Sequence, residues 1–323
     1  MILKRLTFFQ NALGPRHVES IICALILVFT TSASLSGCSN EPEAAYVDFS
    51  HRMLVEQPGD QPRDGAYFRV AVASMISAKE TAVNYHQLLD YIAGKLGRNI
   101  ELVQRKTYRE INELIGQGHI DLAFICSGPY AFGKEKYGFE ALAMPEVRGS
   151  YMYQSYLIVN KDSPYKKLED LSGKTFAFTD PESNTGKLVP TYWLKQHNKI
   201  PEDFFGKIIY TYSHDNSIMA VAMSMVDGAA VHGQIWEYYH RKDPAVTSRT
   251  RIIKKSESFG NPPVVASSHL PSQIKMRMRE ILFQMHQDEE GKKILAELMI
   301  DRFIEPQKKS YEPILAMKEN MDE

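Results

Sequence analysis

The chain has 323 residues and 44% of them are hydrophobic, so it is long enough for two domains and too apolar to be a disordered protein. Its 38 Lys and Arg residues nearly balance its 39 Asp and Glu residues. This balance argues against an electrostatic fit to nucleic acid or to an anionic membrane surface, and we predict no nucleic-acid partner. Any specificity for anions must therefore come from a local site and not from the overall charge of the chain.

Residues 1–37 have the order of an export signal. Basic residues precede an apolar run from Ile21 to Phe29, and small residues follow this run. The segment ends in Leu-Ser-Gly-Cys at Cys38, which resembles a bacterial lipobox. The resemblance implies cleavage before Cys38 and acylation of its thiol, which would give a lipid-anchored exported protein. An uncleaved membrane anchor is the alternative, and it is disfavoured because about 20 apolar residues are needed to span a bilayer.

The cysteines and the next segment agree with this interpretation. Removal of the signal takes Cys23 and lipidation would occupy Cys38, which leaves Cys126 alone and excludes a disulfide framework. Residues 38–65 are polar and contain three prolines without sustained periodicity. We predict that they form a tether between the lipid and the folded body.

From Tyr67 onward the patterns predict an α/β unit. A β-type run begins at Tyr67, and a helix runs from Tyr85 until Gly97 stops it. A strand in IELVQR and a helix from Tyr108 to Ile115 follow. The run from His119 to Cys126 is almost continuously apolar, which suits a parallel strand buried on both faces.

The same alternation returns in the second half of the chain. A strand from Lys174 to Asp180 precedes a helix from Thr185 to His197, and a strand in KIIYTY precedes a helix from Asn216 to Met225. A strand beginning at Gly228 and a helix beginning at Gln234 complete the series. Short connections between strands and helices are typical of α/β layers, so we predict two α/β units of about a hundred residues each.

Two extended stretches are placed to run between these units. Residues 144–160 are rich in Tyr and β-branched residues, and residues 259–267 contain Pro262 and Pro263. If both stretches cross, the helices predicted at residues 273–286 and 289–299 return to the first unit. Two lobes joined by two strands can close like a hinge around a ligand, and the cleft between them is the expected binding site.

The stretch ESNTGKLVP, residues 182–190, follows a predicted strand and begins a helix. Ser183, Asn184 and Thr185 would place hydroxyls, free backbone N–H groups and the positive end of the helix dipole at one point. Such a point suits a phosphate-like anion. Ordinary N-capping is the alternative, because the same residue types lead the cap preferences.

A second strand-to-helix stretch contains Ser127 and Gly128, ahead of a helix that we predict to run to Lys136. Gly128 allows close backbone approach and Ser127 can donate a hydrogen bond, so this helix start could face the first one. Cys126 could be a nucleophile, but a lone cysteine without a placed base is more typical of a small buried side chain.

A third such stretch contains Ser213, His214 and Asp215 in direct succession. Adjacent residues cannot form the spatial chain from nucleophile to base that a hydrolytic triad needs. We interpret His214 as a donor to a bound anion, with an ordinary histidine at a helix start as the alternative.

Other motifs with chemical meaning are absent from the sequence. It contains no zinc-type Cys/His spacing, no Walker motif and no GxGxxG after a strand, so we predict no metal and no cofactor. Asp121 and Asp227 are better explained as turn and strand-end residues than as catalytic acids. Met219, Met223 and Met225 have helical spacing and are predicted to lie in the core.

Taken together, these stretches resemble the periplasmic substrate-binding proteins of phosphate/phosphite/phosphonate-type ABC transporters, the phosphonate-binding protein family. The matching phrases run from about Phe68 to Ile304 and include REINELIGQGHIDLAFICSGPYAF, LSGKTFAFTDPESNTGKLVPTY, TYSHDNSIMAVAMSMVDGAAV and FGNPPVV. The resemblance implies a two-lobed α/β periplasmic binding protein fold of type II, hinged by two crossing strands. Lobe 1 would comprise residues 66–152 plus 263–323, and lobe 2 residues 153–262.

The resemblance also implies a function without catalysis. It suggests a monomeric, lipid-anchored protein on the periplasmic face of the envelope that delivers a small phosphorus oxyanion (phosphate, phosphite or a simple phosphonate) to an ABC permease and ATPase. Ligand contacts would come from residues of both lobes: Ser127, Gly128, Tyr130, Tyr153, Ser183, Asn184, Thr185, His214 and His232. A lipoprotein that senses the ligand for a signalling receptor is the alternative. A hydrolase using His214, Asp215 or Cys126 is disfavoured, because the sequence shows no activated nucleophile.

Two positions depart from the family pattern. His232 stands where relatives often carry an acid, and Pro262 stands where aminophosphonate binders tend to have an aspartate. A carboxylate there would pair with a ligand ammonium. Its absence argues against an aminoalkylphosphonate, and the imidazole of His232 favours an extra contact to the oxyanion.

Overall fold

The computed structural model describes residues 67–322. The predicted signal peptide, the lipidation site Cys38 and the predicted tether lie outside these described residues. Among the described residues, no helix combines the length and the apolar character needed to cross a bilayer.

A mixed sheet of six strands forms the first lobe, here called lobe 1. Its strands are β1 (Tyr67–Val72), β2 (Asn99–Val103), β3 (Leu122–Phe124), β4 (Glu140–Glu146), β10 (Val264–Ala266) and β11 (Arg302–Ile304). Their order across the sheet is β11-β4-β10-β3-β1-β2. Strand β1 is parallel to both β2 and β3, whereas β10 is antiparallel to β3 and β4. The helices of this part are α1 (Ala78–Leu96), α2 (Tyr108–Gly116), α3 (Ser127–Tyr137), α9 (Ser272–Gln284), α10 (Glu289–Glu297) and the C-terminal α11 (Glu312–Asp322).

A mixed sheet of five strands forms lobe 2. Its strands are β5 (Met152–Asn160), β6 (Thr175–Phe178), β7 (Lys207–Tyr210), β8 (Gly228–His232) and β9 (Thr250–Gly260), in the order β7-β6-β8-β5-β9. Strand β6 is parallel to β7 and β8, and β5 is antiparallel to β8 and β9. The helices are a π-helical turn (Asn184–Leu188), α4 (Val189–Lys195), α5 (Pro201–Phe204), α6 (His214–Ala222), α7 (Gly233–Lys242) and α8 (Pro244–Thr247).

The chain passes between the two sheets twice, as predicted. It leaves lobe 1 after β4 and returns to it after β9. The two crossing strands pair with each other, with Tyr153 opposite Phe259. Asn261 stabilises the return crossing. Its side-chain amide donates to the backbone carbonyl of Pro145 at 2.9 Å, and its backbone carbonyl accepts from the Tyr311 hydroxyl at 2.7 Å. The predicted two-lobed fold is therefore confirmed.

Strand β5, which lies between β8 and the edge strand β9, shows why its sequence is apolar at every position from 156 to 159. Leu157 and Val159 face one hydrophobic cluster, whereas Tyr156 and Ile158 face another. Successive side chains of a strand point to opposite faces, so a sheet covered on both faces requires apolar residues at every position.

Several predicted elements differ from those observed. Helix α1 begins at Ala78 rather than at Tyr85, and the predicted helix from Thr185 is a π-helical turn followed by α4. Strand β9 was not predicted, because it is an edge strand whose Lys, Ser and Glu side chains are typical of protected edges.

The prediction that three methionines lie in the core is wrong. Met219, Met223 and Met225 are 37%, 56% and 70% exposed. Helix α6 begins at His214 and buries the face that carries Ile218 and Val221. The methionines therefore lie on its solvent side and beyond its end.

Candidate ligand-binding site

The starts of four helical segments lie near the carboxyl ends of parallel strands in both sheets. Helix α2 begins at Tyr108 after β2, α3 at Ser127 after β3, the π-helical turn at Asn184 after β6, and α6 at His214 after β7. The first turn of a helix presents free N–H groups and the positive end of the dipole. The contacts described below bring these starts together, which favours a bound anion.

Tyr153 of the crossing strand β5 is the centre of this arrangement. Its hydroxyl is hydrogen-bonded to the Ser127 hydroxyl and accepts from the Asn184 side chain at 3.0 Å. Its ring stacks on His232 with a centroid distance of 4.1 Å. Burial raises the pKa of Tyr153, so the hydroxyl keeps its proton. Four of the predicted site residues thus lie in direct contact.

Within residues 182–190, one side chain caps the helical turn and another has a hydroxyl without a hydrogen-bond partner. The Ser183 hydroxyl accepts from the backbone N–H of Gly186 at 3.0 Å, which is an N-cap bond. The Thr185 hydroxyl is buried and has no hydrogen-bond partner. The capping interpretation therefore accounts for Ser183 but not for the Thr185 hydroxyl, and an unpaired buried hydroxyl is costly.

His214 and His232 form a buried pair. The backbone N–H of His232 donates to Nδ1 of His214 at 3.1 Å. The single proton of the neutral His214 ring must therefore be on Nε2, which is buried without a partner. Burial lowers the pKa of His214 to about 3. Burial and the neighbouring His214 hold the pKa of His232 well below its usual range, so both rings are neutral at pH 7 and His214 offers an N–H donor.

Further contacts join the two lobes around these groups. Asp180 of lobe 2 accepts from the backbone N–H of Tyr108 at 3.1 Å and from that of Glu182 at 2.8 Å. Burial raises the pKa of Asp180 to about 6. The backbone N–H of His214 donates to the carbonyl of Met75 at 2.9 Å. The lobes are therefore in direct contact beside the candidate site.

Gly128 is required by this close contact. A Cβ atom at this position would lie 2.7 Å from the carbonyl oxygen of Glu182 and 3.0 Å from the backbone nitrogen of Asn184. Both are backbone atoms of lobe 2, and neither can move as a flexible side chain could. Gly128 was expected to let the backbone approach a ligand; the structure shows it approaching lobe 2, and a ligand contact stays a prediction.

Tyr130 is packed differently from the other predicted site residues. Its ring contacts Tyr311 at a centroid distance of 4.7 Å and Phe139 at 6.3 Å. These contacts belong to the hydrophobic core. A ligand contact by Tyr130 stays a prediction, and its described ring contacts are with the core.

The residues considered for hydrolysis are not arranged for it. Cys126 is buried, and burial raises its pKa, so it is a thiol rather than a thiolate nucleophile. Ser213 caps α6 by accepting from Asn216, and Asp215 accepts from the backbone of Ser77 rather than from His214. In the part of the chain that the structure describes, no group of three or more His, Cys, Asp or Glu residues could hold a metal ion.

Tyr108 was missed by the sequence analysis as a candidate site residue. It is 1% exposed, its hydroxyl has no hydrogen-bond partner, and it packs with Met75 and Cys126. The signal was present, because Tyr108 is the first residue of a helix that follows a parallel strand. The same reasoning that selected Ser127 and Thr185 applies to it.

The model of one protein family, described as the periplasmic phosphonate substrate-binding protein of ABC transporters, matches residues 70–311. The phosphonates-binding periplasmic protein of Escherichia coli is 31% identical over 154 residues, which are 46% of this chain and 45% of that protein. This chain thus spans less than half of the length of that relative.

Two solved structures share the fold. The binding protein component of a phosphonate ABC transporter from Pseudomonas aeruginosa has a TM-score of 0.74 and 24% identity, covering 81% of this chain and 86% of that one. A Prochlorococcus marinus protein in complex with methylphosphonate has a TM-score of 0.71 and 19% identity, covering 80% of this chain and 98% of that one.

Proposed function

Since the chain belongs to the family of periplasmic phosphonate substrate-binding proteins of ABC transporters, we propose that it captures a small phosphorus oxyanion between its two lobes. The family consists of transporter binding proteins and not of enzymes. Phosphate, phosphite and simple phosphonates are the ligands that fit the proposal. One structure of the same fold is a complex with methylphosphonate, which supports a simple phosphonate.

One observation carries the proposal. Three buried polar groups at helix starts of the two lobes have no hydrogen-bond partner among the described residues: the hydroxyl of Tyr108, the hydroxyl of Thr185 and Nε2 of His214. Each can donate a hydrogen bond, although the Ser183 side chain lies beside the Tyr108 hydroxyl. Buried donors without partners are rare in folded proteins, so an anion that accepts from all three accounts for them.

The rest of the proposal concerns location and delivery. Acylation of Cys38 would tether the protein to a membrane on the periplasmic side, and a permease with its ATPase would receive the ligand. The lipobox-like sequence ending at Cys38 and the family membership support this part. The closed contact between the lobes is the state that a transporter of this class would recognise.

Isothermal titration calorimetry tests the function. The purified protein is titrated with phosphate, phosphite, methylphosphonate and 2-aminoethylphosphonate, with sulfate as a comparison anion. We expect saturable binding of at least one of the first three, with 2-aminoethylphosphonate the weakest phosphorus ligand. Absence of binding to every phosphorus ligand would contradict the proposal, and tightest binding of 2-aminoethylphosphonate would contradict the argument from His232.

A further inference from the structure

A second compartment, here called the apolar cavity, lies beside the candidate site. It has a volume of about 140 Å³. Its wall includes Val72 of β1, Phe124 of β3, Ile235 of α7 and Phe303 of β11, so both lobes contribute to it. No Asp, Glu, Lys or Arg is among the described residues that line it. The compartment is therefore suited to an uncharged, apolar group.

The apolar cavity and the candidate site share two wall residues. Met75 lines the cavity, and its carbonyl accepts the hydrogen bond from the His214 backbone. His232 lines the cavity as well, while its ring stacks on Tyr153. The His232 side chain is buried, and its Nδ1 has no partner. The apolar cavity is therefore adjacent to the candidate site at Met75 and His232.

We propose that the apolar cavity takes the organic substituent of a phosphonate whose oxyanion head is held by the candidate site. The preferred ligand is then an alkyl- or arylphosphonate rather than phosphate, phosphite or an aminoalkylphosphonate. This inference rests on the proposed function, because it requires the head group to bind beside His214 and His232.

The size of the cavity sets the size of the substituent. An apolar cavity of about 150 Å³ lined by Leu, Ile and Phe holds a benzene molecule. The volume of about 140 Å³ here suits a phenyl group or a chain of about four carbon atoms. Inorganic phosphate and phosphite have no group that could fill it.

Two amide side chains of the wall are already paired. The Asn84 side-chain carbonyl accepts from the Tyr238 hydroxyl at 2.9 Å, and the Gln234 amide donates to the carbonyl of Met152 at 3.2 Å. An ammonium group placed here would lose its hydration and find no carboxylate, which is unfavourable. An aliphatic or aromatic group has no such hydration to lose, and its burial would remove apolar surface from water.

Calorimetry with a matched set of ligands tests the inference on the full chain. The set is methylphosphonate, butylphosphonate, phenylphosphonate and 3-aminopropylphosphonate, of which the last matches butylphosphonate in length but ends in an ammonium. Each buried methylene is expected to lower Kd about fourfold, so butylphosphonate, with three more methylenes, should bind about sixtyfold tighter than methylphosphonate. 3-Aminopropylphosphonate should bind at least about tenfold weaker than butylphosphonate.

A substitution that fills the cavity locates the substituent. Ile235→Trp enlarges a wall residue on α7, so we expect it to abolish the preference for butylphosphonate and to leave the Kd of methylphosphonate within about threefold. Ile200→Trp changes a residue that is 52% exposed and outside the wall, and it should keep the preference.

The outcomes separate this inference from the proposed function. If methylphosphonate binds but butylphosphonate and phenylphosphonate bind no tighter, or if 3-aminopropylphosphonate binds tightest, the inference is wrong and the proposed function stands. A preference for butylphosphonate that survives Ile235→Trp also overturns it, because the substituent then lies elsewhere. If none of the four phosphonates binds, the inference is wrong, and the proposed function stands only if phosphate or phosphite binds in the titrations described above.

Discussion

Asp215 of lobe 2 accepts a hydrogen bond from the backbone N–H of Ser77 in lobe 1, at 2.9 Å. Ser77 is the N-cap residue of α1, and its own side chain makes no cap hydrogen bond. A carboxylate at this helix end pairs with an orphan N–H group and with the positive end of the helix dipole. The contact therefore stabilises the state in which the lobes touch, and it does so without using the side chains proposed to hold the ligand.

The first prediction follows from this contact. Asp215→Ala should weaken binding of methylphosphonate about tenfold. A hydrogen bond to a charged group contributes roughly 1.5–3 kcal/mol, and the variant loses part of this stabilisation of the closed state. Calorimetry measures the change. Asp203→Ala is the matched control, since it removes one exposed acid from the same lobe and should leave Kd unchanged. Equal affinities of wild type and Asp215→Ala would show that the contact does not contribute to closure.

The second prediction separates ligand binding from helix capping. Thr185→Val removes the unpaired hydroxyl and keeps the side-chain shape, so Kd should rise about tenfold to a hundredfold with little change in stability. Ser183→Ala removes the cap bond to Gly186 and should lower the free energy of unfolding by roughly 0.5–2 kcal/mol. Calorimetry and urea unfolding of both variants check this pair. Loss of stability without loss of affinity in Thr185→Val would reduce this hydroxyl to a structural role.

The third prediction concerns pH. The unfolded chain binds a proton at His214 below about pH 6.5, whereas the folded chain does so only near the lowered pKa of about 3. Titration of His214 therefore does not change the free energy of unfolding above pH 6.5, and it lowers this free energy as pH falls towards 3. Well below pH 6.5 the slope should approach about 1.4 kcal/mol per pH unit.

His214→Asn provides the comparison for this slope. The asparagine carbonyl can still accept from the His232 backbone, but the titrating group is gone. The free energy of unfolding measured between pH 6 and pH 4.5 should fall less steeply in the variant than in wild type by about the stated slope. Asp180, whose raised pKa acts in the opposite direction, is present in both proteins and cancels. Parallel pH profiles would mean that His214 is not held neutral by burial.

The fourth prediction concerns the N-terminal segment. The mature protein should begin at an acylated Cys38 and fractionate with membranes, and Cys38→Ala should leave it unprocessed or soluble. Mass spectrometry of the mature N-terminus decides this. An unmodified Cys38 with the preceding residues intact would exclude the lipid anchor.

Most of the fold could be predicted because its signals are local. The apolar run that contains β3 and the strand-to-helix transitions at Ser127, Asn184 and His214 reflect burial on both faces and helix starts at strand ends, which the sequence encodes directly. Strand β9 could not be predicted in this way, since an edge strand is defined by its neighbour and not by its own polarity. The exposure of the methionines on α6 and beyond its end depends on where that helix begins, and apolar spacing alone does not determine this start.

The sequence suggested candidate ligand contacts, which stay a prediction, but it did not show how their side chains pair in the structure. Ser183, Asn184 and Thr185 look equivalent in sequence, yet one caps the turn, one contacts Tyr153 and one has a free hydroxyl. The cavity beside His232 is formed by segments that are far apart along the chain, so no local pattern could reveal it. Contacts between the lobes, such as that of Asp215 with Ser77, depend in the same way on the closed arrangement.

A crystal structure of the protein with bound methylphosphonate tests the central claim most directly. We expect the phosphonate between the two lobes, with its oxygens within hydrogen-bond distance of the Thr185 hydroxyl, Nε2 of His214 and the Tyr108 hydroxyl. A phosphonate bound elsewhere, with these three groups still unpaired, would contradict the account.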